Sequence, residues 1–471
     1  MPRRNGLPAA NGRNGLLAAN AECHVTRPAP PPHPRIGPGL AAYALLCLFI
    51  WAIPVHAGEG LAGLLALARD NDPDYKAAAA ARDAGVQARL IGRAQLLPAI
   101  SASLEVGSQH GDYTRRATSL TTNYSDEPTT VAWRLSQPVF DLGKWAGYKE
   151  ESSRARLAEL KFVEASTELT LRLSRTLFDS LLAADNLVLA EAQKEAYASQ
   201  RKEAEQLRAA GVLTLTDVED TRARELQSQA NAIEAAYGLQ LRHRELARIV
   251  GTLPPGSPRP LKQFTPLAIE PDNLDAWLRA VEEANPKIIS ARVATEITAH
   301  AADRARAGHY PSVDLIASAT HARDPNTTDS QQNSQSILLR LSVPIYEGGR
   351  TTAGADRAAA LRIQAREELE GARREAMVKA AEAFLGIGNA GAKIRALEQA
   401  LRAAETSLQG AKVGRDAGLR THTDVLNAQQ QIFSVRRDLN KERYNHLLAG
   451  IQLKALAGRL TDADLALIDR M

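Results

Sequence analysis

The sequence predicts an α+β membrane protein built from two tandem structural repeats, each joining two alternating strands to a rod of long helices. Three observations predict it. The chain aligns with itself at an offset of about 210 residues, and the hydrophobic period switches between two and 3.6 at matching places in both copies. Each copy also holds a stretch of about 70 residues without proline. Apolar residues make up 44% and aromatics only 4%, so alanine supplies much of the apolar content, as in long helices in close lateral contact.

The chain begins with a segment that distorts its charge balance. Over 471 residues there are 58 Lys and Arg against 54 Asp and Glu. The first 57 residues hold five arginines, no lysine, one acid (Glu22), both cysteines (Cys23 and Cys47) and nine of the 23 prolines. Within them Arg27, His33 and Arg35 precede an apolar run over 40–53, then Pro54 and the small-residue end Val55-His56-Ala57. That is the pattern of a signal peptide cut after Ala57, so 1–57 is expected to be a leader. The run is shorter than the roughly 20 residues a spanning helix needs. Cys47 follows Leu46, where a lipidation signal wants a small residue, so no lipid anchor is expected. The other 414 residues carry 53 basic and 53 acidic groups and no cysteine. Neutrality gives no reason to expect nucleic acid as a partner, and the lack of cysteine excludes disulfides, thiolate metal sites and a thiol nucleophile.

The repeats are set by four matched blocks. Asn71-Asp72-Pro73 lies over Ala284-Asn285-Pro286, and Leu97-Pro98-Ala99-Ile100 over Tyr310-Pro311-Ser312-Val313. The stretch from Leu135 to Lys144 lies over Leu341 to Arg350, and Ala210 to Val218 over Ala417 to Val425. The first repeat takes 58–251 and the second 279–458. A proline-rich equatorial linker over 252–278 joins them, and 459–471 is a C-terminal tail.

In chain order, a helix from Leu61 to Leu96 interrupted near Pro73 leads to strands at about 98–110 and 129–140. A long helix over 142–210 and a return helix over 214–250 follow. The second copy offers strands at about 311–321 and 335–346, a long helix over 348–417 with an irregularity expected at Gly386 to Gly391, and a return helix over 421–457. At 1.5 Å per residue each long helix reaches about 100 Å. The strands alternate in matching phase: Ile100, Ala102, Leu104 and Val106 against Ser101, Ser103 and Glu105, and Ile337, Leu339, Leu341, Val343 and Ile345 against Ser336, Arg340 and Ser342. A membrane barrel strand requires such alternation, and a half-buried strand of a soluble sheet shows it too. Tyr113 and Tyr124 between the first strands, with Phe140, Trp145, Tyr310 and Tyr346 at the strand–helix junctions, sit where two interfacial girdles belong. Four strands cannot close a barrel in lipid, where about eight is the smallest number, so a membrane placement requires oligomerisation.

The duplicated plan, the Leu-Ser-x-Pro-aromatic strand endings and above all Gly418-Leu-Arg-Thr-His-Thr-Asp-Val-Leu-Asn427 before a long helix resemble the TolC family of outer-membrane export channels, over about Gly60 to Leu460. The resemblance implies a homotrimer: a 12-stranded β-barrel in the outer membrane, continued by an α-helical coiled-coil barrel into the periplasm. There the tunnel would meet a periplasmic adaptor (membrane fusion protein) and an inner-membrane ABC or proton-driven pump, and pass proteins such as toxins or small molecules. The missing lipidation signal fits the branch that includes type I secretion. The rival from another class is a periplasmic coiled-coil adaptor or scaffold, which gives no reason for lipid-facing strands of one phase in two copies.

The candidate site is the pair of helix tips. Each long helix ends at a glycine, Gly211 or Gly418, and Thr216-Asp217 or Thr423-Asp424 opens the return helix. Glycine past a helix end and Thr or Asp as N-caps are ordinary there. The resemblance places Thr216, Asp217 and Arg420 where neighbouring helices join at a closed periplasmic entrance, and Asp424 in an acidic ring at the constriction. Arg415 departs from a tyrosine in the family pattern and Asn427 from a second aspartate, which implies one acidic ring instead of two. No hydrolase, zinc-peptidase or Walker motif is present, and the ten histidines show no ligand spacing. No catalytic residue, metal site or cofactor is therefore expected, and His422 is expected in solvent.

Overall fold

The computed structural model describes residues 60–115, 117, 119–253, 264–266, 269–324 and 330–469. The expected leader, both cysteines and much of the proline-rich linker lie outside the described residues. Two short helices are broken by proline and recapped on the spot. Helix α1 (Leu61–Asn71) stops at Asp72, whose carboxylate accepts from the Tyr75 amide at 2.8 Å and so starts α2 (Pro73–Ala94). Proline at the first helical position costs nothing, because its missing N–H would be unpaired there. In the second half Asn285 ends α5 (Leu274–Ala284) and caps α6 (Pro286–Ala307) through the amides of Lys287 and Ile288.

The strands form one antiparallel four-stranded sheet in the order β1 (Ala99–Val106), β4 (Thr129–Phe140), β5 (Ser312–Asp324), β6 (Ser330–Ser342). Three details differ from the sequence expectation. The strand expected over 98–110 ends at Val106, and β2 (Gln109–Arg115) and β3 (Leu120–Asp126) pair with each other as a separate hairpin. Their sequence is polar on both faces, so no alternation marked it. The strand expected over 335–346 begins at Ser330, in a Gln/Asn/Ser stretch without alternation, and stops at Ser342. Pro344 has no N–H to give a ladder. Its counterpart Pro138 stays within β4 at a register shift between Pro138 and Phe140.

Four long helices make the rod: α3 (Leu142–Ala209) with α4 (Leu215–Val250), and α7 (Arg350–Asp416) with α8 (His422–Leu456). Toward the sheet α3 packs on α2 and α6; toward the far tips it packs on α4 and α8. The irregularity expected at Gly386 to Gly391 is absent, because α7 runs through it with Ala383, Ile387, Ala390 and Ile394 buried. The roughly 1 kcal/mol that a helical glycine costs against alanine is tolerated inside such a packed segment. The tail expected over 459–471 contains a helix, α9 (Asp462–Asp469), which sets Leu465 and Ile468 against α1.

Tyr197, Val425, Leu426 and Phe433 are buried toward the tips, and the two clusters of bulky side chains fill the middle of the rod. Leu61, Leu64, Leu173, Leu246 and Leu447 are fully buried there, joined by Phe178, Tyr444 and Ile451. A neighbouring cluster unites Trp277, Val281, Ile288, Ile387 and Leu453. Phe264 of the linker packs edge-on to His446 and under Arg443, so the linker belongs to the same belt.

Candidate functional site

The sheet has two uncovered faces of opposite character. Its register stacks Ile100, Leu135, Ala317 and Ile337 in one apolar row across all four strands, followed on the same face by the rows Ala102, Trp133, Ala319, Gln335 and Leu104, Val131, His321, Asn333. Ile100, Trp133 and Ile337 are 69%, 57% and 77% exposed. The opposite face carries Ser101, Arg134, Ser318 and Ser336, the last two 2.8 Å apart through their hydroxyls. No described helix packs across either face, and the edges β1 and β6 are unpaired in the chain. Exposed large apolar side chains in such rows mark a surface meant for lipid or a partner. No described helix is long and apolar enough to cross a membrane.

At the far end the two tips share one backbone design. Gly211 and Gly418 have φ of +77° and +74°, a left-handed conformation that glycine adopts without a Cβ clash. The helix ends close as Schellman turns, Val212 N to Leu207 O at 2.9 Å and Leu419 N to Gly414 O at 2.7 Å. The caps are Thr214 and Thr421, two residues before the threonines expected from sequence. Asp217 Oδ2 accepts from the Thr214 amide at 3.0 Å and hydroxyl at 2.6 Å; Asp424 Oδ2 accepts from Thr421 in the same way at 2.9 Å each. These bonds hold both carboxyls below the usual aspartate range, through the Thr214 hydroxyl first for Asp217 and the Thr421 amide first for Asp424.

A model of the outer membrane efflux protein family matches residues 64–252 and 277–459. The chain is 32% identical over 418 residues to the protease secretion protein PrtF of Dickeya chrysanthemi, spanning 86% of this chain and 89% of that one. It is 27% identical to outer membrane protein TolC of Vibrio cholerae, over 90% and 95% of the two chains. The chain belongs to the outer membrane efflux protein family. It is an outer-membrane export channel that extends into the periplasm. The crystal structure of outer membrane protein VceC from Vibrio cholerae shares the fold, with a TM-score of 0.74 at 19% identity over 84% of this chain and 96% of that one.

Within the channel the expected site residues fall into two groups. Asp217 and Asp424 are the third-position carboxylates of their helices, while Thr216 and Arg420 are exposed. Arg420 lies along Gly414, where a Cβ would come 2.8 Å from its Cγ. Asn427 is joined to the first hairpin: its Oδ1 accepts from Arg224 of α4 at 3.0 Å. Sequence spacing missed three further contacts between the hairpins. Arg415 pairs with Glu203 of α3 at 3.0 Å. Gln430 accepts from Tyr197 and Gln193 of α3 at 2.9 Å each. His422, expected in solvent, is only 3% exposed, with Nε2 3.1 Å from the Thr221 hydroxyl of α4. The two hairpins meet side by side, which nothing in the linear spacing of their residues could reveal.

Proposed function

We propose that the channel works as a homotrimer whose three sheets close a 12-stranded barrel, continued by a coiled-coil barrel of helices, and that it carries secreted proteins. In this reading residues 58–251 and 279–458 are tandem repeats about an equatorial linker. The observation that carries the trimer is a vacant copy of an occupied interface. On α8, Phe433 is buried, Leu448 packs on the belt, and the Tyr444 ring lies 5.9 Å from Phe178 of α3 with its hydroxyl donating to Asp185 at 2.9 Å. Counting 207 residues back gives Leu226, Tyr237 and Leu241 on α4, all exposed; counting 207 forward from Leu171 and Phe178 gives Val378 and Leu385 on α7, also exposed. An α4 of one copy set on the α7 of the next would repeat the interface, as the edges β1 and β6 would pair between copies. Such head-to-tail contacts generate rings.

A protein cargo follows from the likeness to a protease secretion protein, which makes an extracellular protease the first candidate. A periplasmic adaptor and an inner-membrane pump, ABC or proton-driven, would complete the path. Thr216, Asp217, Arg420 and Asp424 would form the periplasmic gate, with one acidic ring because position 427 holds a neutral asparagine in place of an aspartate. A ring of carboxylates favours cations.

The test uses the absence of cysteine after residue 57. Tyr237→Cys together with Leu385→Cys should oxidise to a trimer-sized, reducible species in outer-membrane fractions. A monomer-sized product only would contradict the trimer. Deletion of the gene should abolish export of a co-encoded protein, and unchanged export would contradict the cargo.

A further inference from the structure

His422 lies where a charge is poorly tolerated, and its bonding identifies the form it takes. The Thr221 hydroxyl donates to the Asp217 carbonyl at 2.8 Å, so its oxygen is left to accept, and His422 Nε2 is the donor across the 3.1 Å contact. Nδ1 is then the bare nitrogen. It is buried and has no hydrogen-bond partner among the described residues. A second proton must go to Nδ1, which creates a buried donor without an acceptor. His422 is also the first residue of α8, and a cation at a helix N-terminus opposes the helix dipole.

The geometry points to His422 as a pH-responsive latch between the two hairpin tips, neutral when the tips are packed and released when protonated. This rests on the tips being the gate. The charged groups around the ring come from each packed element: Glu203 from α3, Asp217 and Asp220 from α4, and Arg415 from α7. Burial first, and the Arg415 guanidinium second, hold the imidazole below the ordinary histidine value, against the pull of the three acids. The latched form is therefore fully favoured above about 6.5, the pKa of a freed histidine. It is lost as the pH falls from there through the lower pKa of the latched ring. Released, His422 would free the surface that also carries the Arg224–Asn427 and Glu203–Arg415 contacts, so one proton per chain acts on the whole seam between hairpins. Leu215 holds the matching position in the first tip and is exposed, so the device belongs to the second tip alone.

The experiment is single-channel conductance of the intact protein in planar bilayers in KCl, at pH 7.5 and 5.5. The wild type should open as the pH falls, its open fraction rising by up to about tenfold for each pH unit by which packing depresses the histidine. His422→Gln keeps a donor for Thr221 without a titrating charge and should remove the step, while Glu203, Asp217 and Asp220 remain. His422→Leu, matching Leu215, is the second variant, and heat-modifiable migration verifies that each assembles. A wild type without a pH step, or a step retained in His422→Gln, overturns the latch. The gate itself is read separately at pH 7.5 from Arg420→Ser with Asp217→Ala. Unchanged conductance there overturns the gate residues, while the latch is still decided by the His422 variants.

Discussion

The belt and the tips are held together by different physics. At the belt, leucines from α1, α3, α4 and α8 interlock with no exposure, and tryptophan, tyrosine and phenylalanine fill the remaining space. Nearer the tips Val218, Val425 and Leu426 are buried, and the two hairpins are joined by polar contacts: Arg415 with Glu203, His422 with Thr221, and Asn427 with Arg224. Apolar burial is large, non-directional and indifferent to pH, whereas a few hydrogen bonds of about 1 kcal/mol each can be exchanged for others at little net cost. The belt is thus suited to be a fixed collar, and the tips to be the part that moves.

The contrast can be broken most forcefully at the collar. Leu173→Ala should cost about 2 to 5 kcal/mol, read as a lower melting temperature, and leave the conductance of assembled channels unchanged. A more conductive channel would place part of the gate at the belt. Asn427→Asp acts at the tips. It should turn the Arg224 contact into an ion pair and add a second acidic ring, moving the reversal potential in a salt gradient toward greater cation preference. No movement would remove residue 427 from the pore. Smaller still, Thr214→Ala should cost about 1 kcal/mol of helix stability, seen as faster hydrogen exchange at the start of α4 with unchanged exchange in the belt.

Acid should also separate the two regions. Glu375 bridges Lys287 at 2.7 Å and Lys379 at 2.7 Å beside the belt, and those two lysines, Lys287 first, lower its carboxyl to about 2. A depressed carboxyl contributes its stabilisation above the ordinary value near 4.5 and loses it only as the pH falls through about 2. At pH 5.5 exchange should therefore rise around His422 and stay constant around Glu375. Equal acceleration at both would deny the tips any special sensitivity.

Much of this was legible in the sequence where a period or a fixed turn residue carried the signal. Ile100, Leu104, Trp133 and Ile337 announced strands through their phase, and Gly211 and Gly418 announced helix ends through the left-handed turn they permit. The β2–β3 hairpin and the first residues of β6 gave no phase because both their faces are polar. The caps were misread by two residues because each turn holds two threonines, Thr214 and Thr216 or Thr421 and Thr423, and only the reciprocal bond to Asp217 or Asp424 selects Thr214 and Thr421. The contacts of His422 and Asn427 with α4 cross about 200 positions of sequence, so their partners depend on how the hairpins pack and not on spacing.

The central claim is that the polar tips close an export channel whose belt stays fixed. Single-channel conductance of the Arg420→Ser, Asp217→Ala variant at pH 7.5 tests it most directly. The account predicts a trimeric pore that conducts several times more current than the wild type, with unchanged hydrogen exchange in the belt. Equal conductance in the two proteins would contradict it.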